Sequence, residues 1–531
     1  MKNMQMTDSY TLYNIRARKG KMKHAFSYLL PLLFMLVGLT ACRDFLEETP
    51  ATAIPEKEAM QTLSAAEEVC IGIYSSFKNP ALYSGTMVQA TEVQSDLFYA
   101  AKGYSNRFGN FYRWELNANE SSLLDVYGGL YQIVSRCNFF LDHEEEVRAT
   151  LTNKNDVKLM DKYTSDVCFM RAYAYSDLVR IFCQAYDPAT AATEMGVPLY
   201  LHYRTGNGAV EILPRASLQE CYEQVLKDLA RAEELEPRKG CNTQFITQGA
   251  VLALKARVLL HMQRWEDAEQ TATDVIEQKN GDGETYSLAD AFYNVVAPDG
   301  TVLNEYDCMW QYDSADEIIW KIYFSTTDQG GSLGSLFMGI TSGRYNPNYL
   351  PANWLLDAYQ TGDRRYVSFY NLVTTMQGVK WEVMVKFPGN PVIDGTSGVY
   401  YSNMPKLLRL SETYLIRAEA RCMQQKTALA CEDLTTLRRA RIQNYGTAMY
   451  DQDHLLGAIQ DERAKELVGE GFRLTDLKRW GLGFERIPQT GTIDGPNYNA
   501  LKVPAGSKRF TWLLPDHEIS ASKGLVKQNE Y

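Results

Sequence analysis

The chain has 531 residues, enough for one large domain or two to three ordinary ones with a sizeable core. Its formal charge is −11, and the part beyond residue 41 holds 48 Lys/Arg against 64 Asp/Glu, which argues against nucleic acid as a partner. Ten cysteines stand singly, with no C-x-x-C and no Cys/His cluster at zinc spacing, so neither a zinc module nor a disulfide scaffold is expected.

Arg16, Arg18, Lys19, Lys21 and Lys23 precede the apolar run Leu32-Leu33-Phe34-Met35-Leu36-Val37-Gly38, which is too short to span a bilayer. Leu39-Thr40-Ala41-Cys42 follows, with small residues before a cysteine as in a bacterial lipoprotein signal. Residues 1–41 are therefore expected to be removed and Cys42 acylated, tethering a body of residues 42–531 to a membrane surface. Met22-Lys23-His24 opens a leader of ordinary length, and translation from Met22 yields the same mature chain.

In the body, 65–77, 123–140, 167–182 and 218–235 carry helical periodicity, and 248–278 divides into two helices near Gln263-Arg264. Ala256 and Ala268 are twelve apart with Leu259 three after the first, the small-residue spacing of a tetratricopeptide unit. The spacing recurs at Ala418 and Ala430, followed by Leu434 and Leu437. These segments predict a mainly α fold of tetratricopeptide-like helical hairpins with a few short strands. Stretches at about 78–122 and 281–405 read instead as loop-rich insertions, the usual place for a ligand face on a rigid scaffold. Within the second, 317–324 alternates like a strand and directs Trp320 to the core.

Motifs that could carry chemistry have plainer readings. Glu462, Glu466 and Glu470 recur every four residues near Arg463, Arg473 and Arg479, which suits charge-paired packing better than acid/base work. Gly330-Gly331-Ser332-Leu333-Gly334 fits G-x-S-x-G, but a nucleophile elbow needs a sharp strand-to-helix turn, and a loop is expected here. No H-E-x-x-H, P-loop or dinucleotide fingerprint is present, so no enzyme and no cofactor is expected. Asp313, Asp316 and Glu317 offer oxygen ligands for a structural calcium, against the alternative of a solvated turn. Sugars present apolar C–H faces beside hydroxyls, so a glycan site needs aromatic platforms flanked by hydrogen-bonding side chains. Segment 96–114 has that mixture: Tyr104, Phe108, Tyr112 and Trp114 interleave with Asp96, Asn106 and Arg107 in what should be an exposed loop.

Ordered blocks along nearly the whole mature chain resemble the SusD/RagB family of surface lipoproteins. They include CRDFL (42–46) with Pro50, RAYAY (171–175) with Leu178 and VPL (197–199), ALKAR (253–257), and WLLDAY (354–359) with DRR (363–365). The carboxy-terminal set is LRLSETYLIRAEA (408–420), ERAKEL (462–467), EGFR (470–473), DLKRWG (476–481), LPDHEI (514–519) and Gln528-Asn529. Departures are small: Gly196 stands where the family often continues an FG-like turn, and the chain closes on Glu530-Tyr531. The resemblance implies a helical scaffold anchored on the outer face of the outer membrane, capturing glycans for a partner SusC-like TonB-dependent transporter. Peptide capture, as in RagB-like members, and a ligand-independent lid are the alternatives. It also implies that Trp310, Tyr312 and Tyr345 face the 96–114 segment across the ligand and that Asp96 lies near a polar contact. Asp44, Glu47 and Glu48 behind Cys42 are similar to a surface-export signal of such lipoproteins.

Overall fold

The computed structural model describes residues 58–204, 212–277, 285–394, 401–489 and 501–531; the signal, Cys42 and the acidic residues behind it lie outside them. Among the described residues ten helices carry the scaffold: α1 (Leu63–Ser76), α2 (Thr86–Gln94), α3 (Ser121–Arg148), α4 (Lys154–Phe182), α5 (Leu218–Glu234), α6 (Gln248–His261), α7 (Trp265–Glu277), α8 (Leu410–Met423), α9 (Thr427–Arg439) and α10 (Gln452–Leu467). Side-chain oxygens of Thr62, Asn153, Thr247 and Asp451 accept backbone N–H groups at the starts of α1, α4, α6 and α10, and Ser217 with Glu220 forms a capping box on α5. Gln263, at φ +59°, breaks the chain between α6 and α7 where the sequence places the break.

Packing follows the predicted pairs, with α1 on α3, α4 on α5, α6 on α7 and α8 on α9, while α4 also meets α3 and α8 meets α7 and α10. Ala256 and Ala268 are buried with Leu259 and Leu260 against Ile416 and Ala420. Ala418 and Ala430 do the same with Leu434, Leu437, Leu455 and Ile459. A larger side chain at any of the four alanines would push its helix off its partner.

The stretch 78–122 differs from the expected loop insertion. Helix α2 runs through it with Met87–Gln94 buried on every side, and Phe98–Ala100 pairs antiparallel with Tyr349–Pro351. A helix surrounded by protein has no polar face, so Thr-Met-Val-Gln-Ala-Thr-Glu-Val-Gln shows no helical period. Its polar groups find partners inside: Gln89 donates to the carbonyls of Ser332 and Leu333, and Gln94 accepts from the Trp512 indole. In 281–405 the strands form two-stranded ladders, including 370–374 with 380–384. Ile318–Lys321 pairs with Lys406–Arg409, and Trp320 is 1% exposed among Phe77, Phe169 and Tyr173, as its alternation predicts.

The predicted charge-paired packing around Glu466 is extensive. Arg409 reaches Glu317 (2.6 Å), Glu466 (3.1 Å) and Glu470 (2.7 Å); Arg441 reaches Glu317 (2.7 Å) and Glu466 (3.1 Å); Arg365 reaches Asp363 (2.8 Å), Glu462 (2.6 Å) and Glu466 (3.1 Å). Glu470 lies beyond the end of α10, between left-handed Gly469 and Gly471, and joins the network from that turn instead of from the helical face expected of it.

Candidate functional site

Three segments converge on one surface. Residues 102–108 leave the strand Phe98–Ala100, and Gly103 sits at φ +80°, where an added Cβ would meet the Gln377 side chain at 3.0 Å. Gln377, at the tip of the 370–384 hairpin, donates to Asn346 (2.7 Å), and the Met376 N–H donates to the Tyr345 carbonyl (2.8 Å). Asn348 accepts from both the backbone N–H (2.7 Å) and the hydroxyl (2.6 Å) of Ser105. Two of the segments thus leave the ladder of Phe98–Ala100 with Tyr349–Pro351 side by side, and hydrogen bonds fasten the hairpin tip to them.

On this ledge the Tyr104 ring stands edge-on to Tyr349 at 5.8 Å, and its hydroxyl donates to Asn106 (2.9 Å), which also accepts from Arg113 (2.9 Å). Asn106 and Phe108 occupy left-handed backbone at φ +61° and +59°, a costly conformation that turns 106–108 outward. The Arg107 guanidinium lies 5.0 Å from the Phe108 ring centre and donates to Gln89 (2.8 Å), and removal from water against these neighbours holds its pKa below the ordinary guanidinium value. Beneath, Tyr345 and Trp381 pack partly buried on Ala101, Met338, Leu350 and Val383. Exposed amide, hydroxyl and guanidinium groups beside half-buried rings can exchange hydrogen bonds and carry an apolar face together.

Of the residues chosen from sequence, Tyr104, Asn106, Arg107, Phe108 and Tyr345 meet here. The remaining five do not. Asp96 is 8% exposed and its two carboxylate oxygens accept from Arg473 Nε and Nη2, each at 2.8 Å. Tyr112 is fully buried under the Arg486 guanidinium, 4.0 Å from its ring centre. Trp114 is 4% exposed between Phe484 and Phe510, its indole donating to the Gln94 carbonyl (2.8 Å), so it is a core residue and not a platform. Trp310 is buried beneath Lys386 (4.2 Å) and Lys406 (5.0 Å), and Tyr312 packs on Ala297 and Cys308 with its hydroxyl on Asp299 (2.8 Å). A connection with many rings must bury some of them, and composition does not say which. Asn346, Asn348, Gln377 and Trp381 were missed; Asn346-Pro347-Asn348 beside Tyr345 is a turn signal that could have raised two of them.

Other candidates resolve differently. Asp313 meets Lys406 (2.6 Å) and Glu317 meets Arg409 and Arg441, so two of the three carboxylates proposed for calcium already face cations of the chain, and among the described residues no group of acidic, His or Cys side chains could hold a metal ion. Ser332 lies in a loop before the short helix Gly334–Phe337, its hydroxyl donating to the Tyr401 carbonyl (3.2 Å), with no preceding strand to form an elbow. A groove of about 260 Å³ along α3 is lined by Tyr127, Tyr131 and Tyr200, but Tyr127 is 3% exposed and Arg204 covers the Tyr200 ring.

Comparison with known proteins matches the family model of the SusD family to residues 377–531 and a model described as starch-binding, associating with the outer membrane, to residues 44–260. The chain belongs to the SusD/RagB family. The fold of this SusD-like protein is shared with a SusD superfamily protein from Bacteroides thetaiotaomicron (TM-score 0.74, 22% identity, covering 88% of this chain and 100% of that one). It is also shared with a putative sugar binding protein from Bacteroides vulgatus (TM-score 0.71, 24% identity, 89% and 99% covered). SusD-like protein P25 of Formosa agariphila is 23% identical, with 85% of this chain and 89% of that protein aligned. Among the described residues no helix is long and apolar enough to cross a membrane.

Proposed function

We propose that this SusD-like protein is a cell-surface lipoprotein that captures glycans on the ledge and delivers them, unmodified, to a SusC-like TonB-dependent transporter. The convergence of Tyr104, Asn106, Arg107 and Phe108 with Tyr345, Asn346, Asn348 and Gln377 carries the reading, since it sets half-buried rings beside a dense set of donors and acceptors. Support comes from the family model's description as starch-binding and from the sugar-binding description of the Bacteroides vulgatus relative. The carboxylates nearest to a catalytic pattern, Glu462 and Glu466, are committed to buried arginines, which favours binding over turnover. No cofactor enters this reading.

The ledge is held by interlocking hydrogen bonds, so little ordering remains to oppose binding, while exchange of sugar–water for sugar–protein hydrogen bonds keeps affinity modest. An array of glycans and peptides probed with the mature protein, followed by calorimetry on the best ligand, tests the proposal. Retention of glycans is expected, with Tyr104→Ala and Arg107→Ala each weakening binding about tenfold, the equivalent of ~1.4 kcal/mol. Retention of peptides alone overturns it.

A further inference from the structure

The ledge differs in charge from the molecule that carries it. Segments 101–108, 339–349 and 374–381 contain Lys102, Arg107, Arg344 and Lys380 and no Asp or Glu, in a chain of formal charge −11. Hydrogen bonds place the three segments side by side, through Ser105 with Asn348, Gln377 with Asn346 and Met376 with Tyr345. Arg344 and Lys380 are exposed and enter no ion pair among the described residues. Arg107 is the most telling of the four. Its guanidinium is seated on Phe108 and Gln89, neither of which neutralises it, and the bond to Gln89 is the one hydrogen bond it makes among the described residues. Nearby arginines are paired with carboxylates, as Arg113 is with Glu115 and Arg473 with Asp96, and buried Arg486 is satisfied by the carbonyls of Val93, Gln94, Ser95 and Tyr112. A fixed cation with most of its N–H fork uncommitted is left for a group from outside the chain.

We infer that the ledge selects acidic saccharides, with the Arg107 guanidinium taking a uronate carboxylate or a sulfate ester while Tyr104 and Phe108 carry the sugar ring. This narrows the glycan-binding reading above and rests on it. The planar fork gives two parallel hydrogen bonds to either oxyanion, and Arg344 and Lys380 add a field that salt screens over about 10 Å at 0.1 M.

Affinity electrophoresis of the mature protein tests this, with polygalacturonate for the uronate arm, dextran sulfate for the sulfate arm, and dextran and starch as neutral matrices. At least one acidic matrix is expected to bind tenfold or more tightly than the neutral ones, and to weaken several-fold between 50 and 300 mM NaCl. Arg107→Gln should lose at least tenfold, Arg107→Lys should recover only part, and exposed Lys158→Gln on α4 should change nothing; melting curves establish that each variant is folded. Binding to dextran or starch as tight as to the acidic matrices, or acidic binding indifferent to Arg107→Gln, overturns the inference and leaves glycan capture standing. Retardation by no matrix overturns the inference, and a blank glycan array overturns the capture reading as well.

Discussion

Glu92 is fully buried and makes no ion pair among the described residues, an arrangement that makes it the clearest single test of the interior. Its carboxylate accepts the backbone N–H groups of Gly471 (2.7 Å) and Gly469 (3.1 Å), tying α2 to the turn after α10. Burial pushes its pKa up to about 7, against the lowering effect of the two N–H donors and Lys386. Because the folded value lies above the unfolded one, the contribution is fully present below pH ~4.5 and is lost as pH rises through 7. Relative to Glu92→Gln, the wild type should therefore lose on the order of 3 kcal/mol between pH 4.5 and pH 8, on top of a constant offset for the glycine N–H that glutamine leaves unpaired. Melting curves of both proteins across that range check it, and parallel pH profiles contradict it. The rings of 96–114 divide by the same logic of burial: Trp114→Ala should cost ~3–5 kcal/mol and leave a cavity, while Tyr104→Ala should cost under about 1.5 kcal/mol and act on binding. Equal losses in thermal stability would place Tyr104 in the core.

At the scale of elements, α10 and the turn after it act as a bolt between the helical repeats and the 281–405 segment. Although burial alone would raise the Glu466 pKa, Arg441, Arg409 and Arg365 hold it well below the ordinary carboxylate range. Glu466→Gln leaves those guanidinium groups short of one compensating charge in a region closed to water, and should cost ~3–5 kcal/mol in urea unfolding with no effect on any turnover. A loss below ~1 kcal/mol would mean that the network rearranges around the gap. What the sequence made legible at this scale follows from periodicity. Ala256/Ala268 and Ala418/Ala430 announce helices that touch, because only small side chains fit at the crossing, and the helical pairs appeared where that spacing predicts. Helix α2 leaves no such mark because full burial removes the polar face that periodicity needs, and its segment reads as loop. The ledge was half legible for a related reason. The left-handed, ring-bearing run Tyr104 to Phe108 is local, whereas the Tyr345 to Asn348 turn joins it through Ser105 and Asn348, 243 residues apart, and Gln377 is tied in through Asn346; pairing across that distance leaves no local mark.

Across the whole molecule, charge and attachment set how the ledge works. The mature chain carries 48 basic against 64 acidic residues, so a basic ledge stands out on an acidic body and draws anionic sugars to one face of it. Modest intrinsic affinity is sufficient if Cys42 is acylated, because a tether confines the binder to the membrane plane and raises its effective concentration at any transporter held there. Attachment and capture then separate cleanly by mutation. Cys42→Ala should move the protein from the membrane fraction to the soluble one and slow growth on the bound glycan. The purified body should bind that glycan with a Kd within twofold of wild type, since the folded unit from Met60 to Tyr531 contains the entire ledge. Retention of Cys42→Ala in washed membranes would show that something other than the lipid holds it, and a large change in Kd would show that the amino-terminal segment contributes to the site.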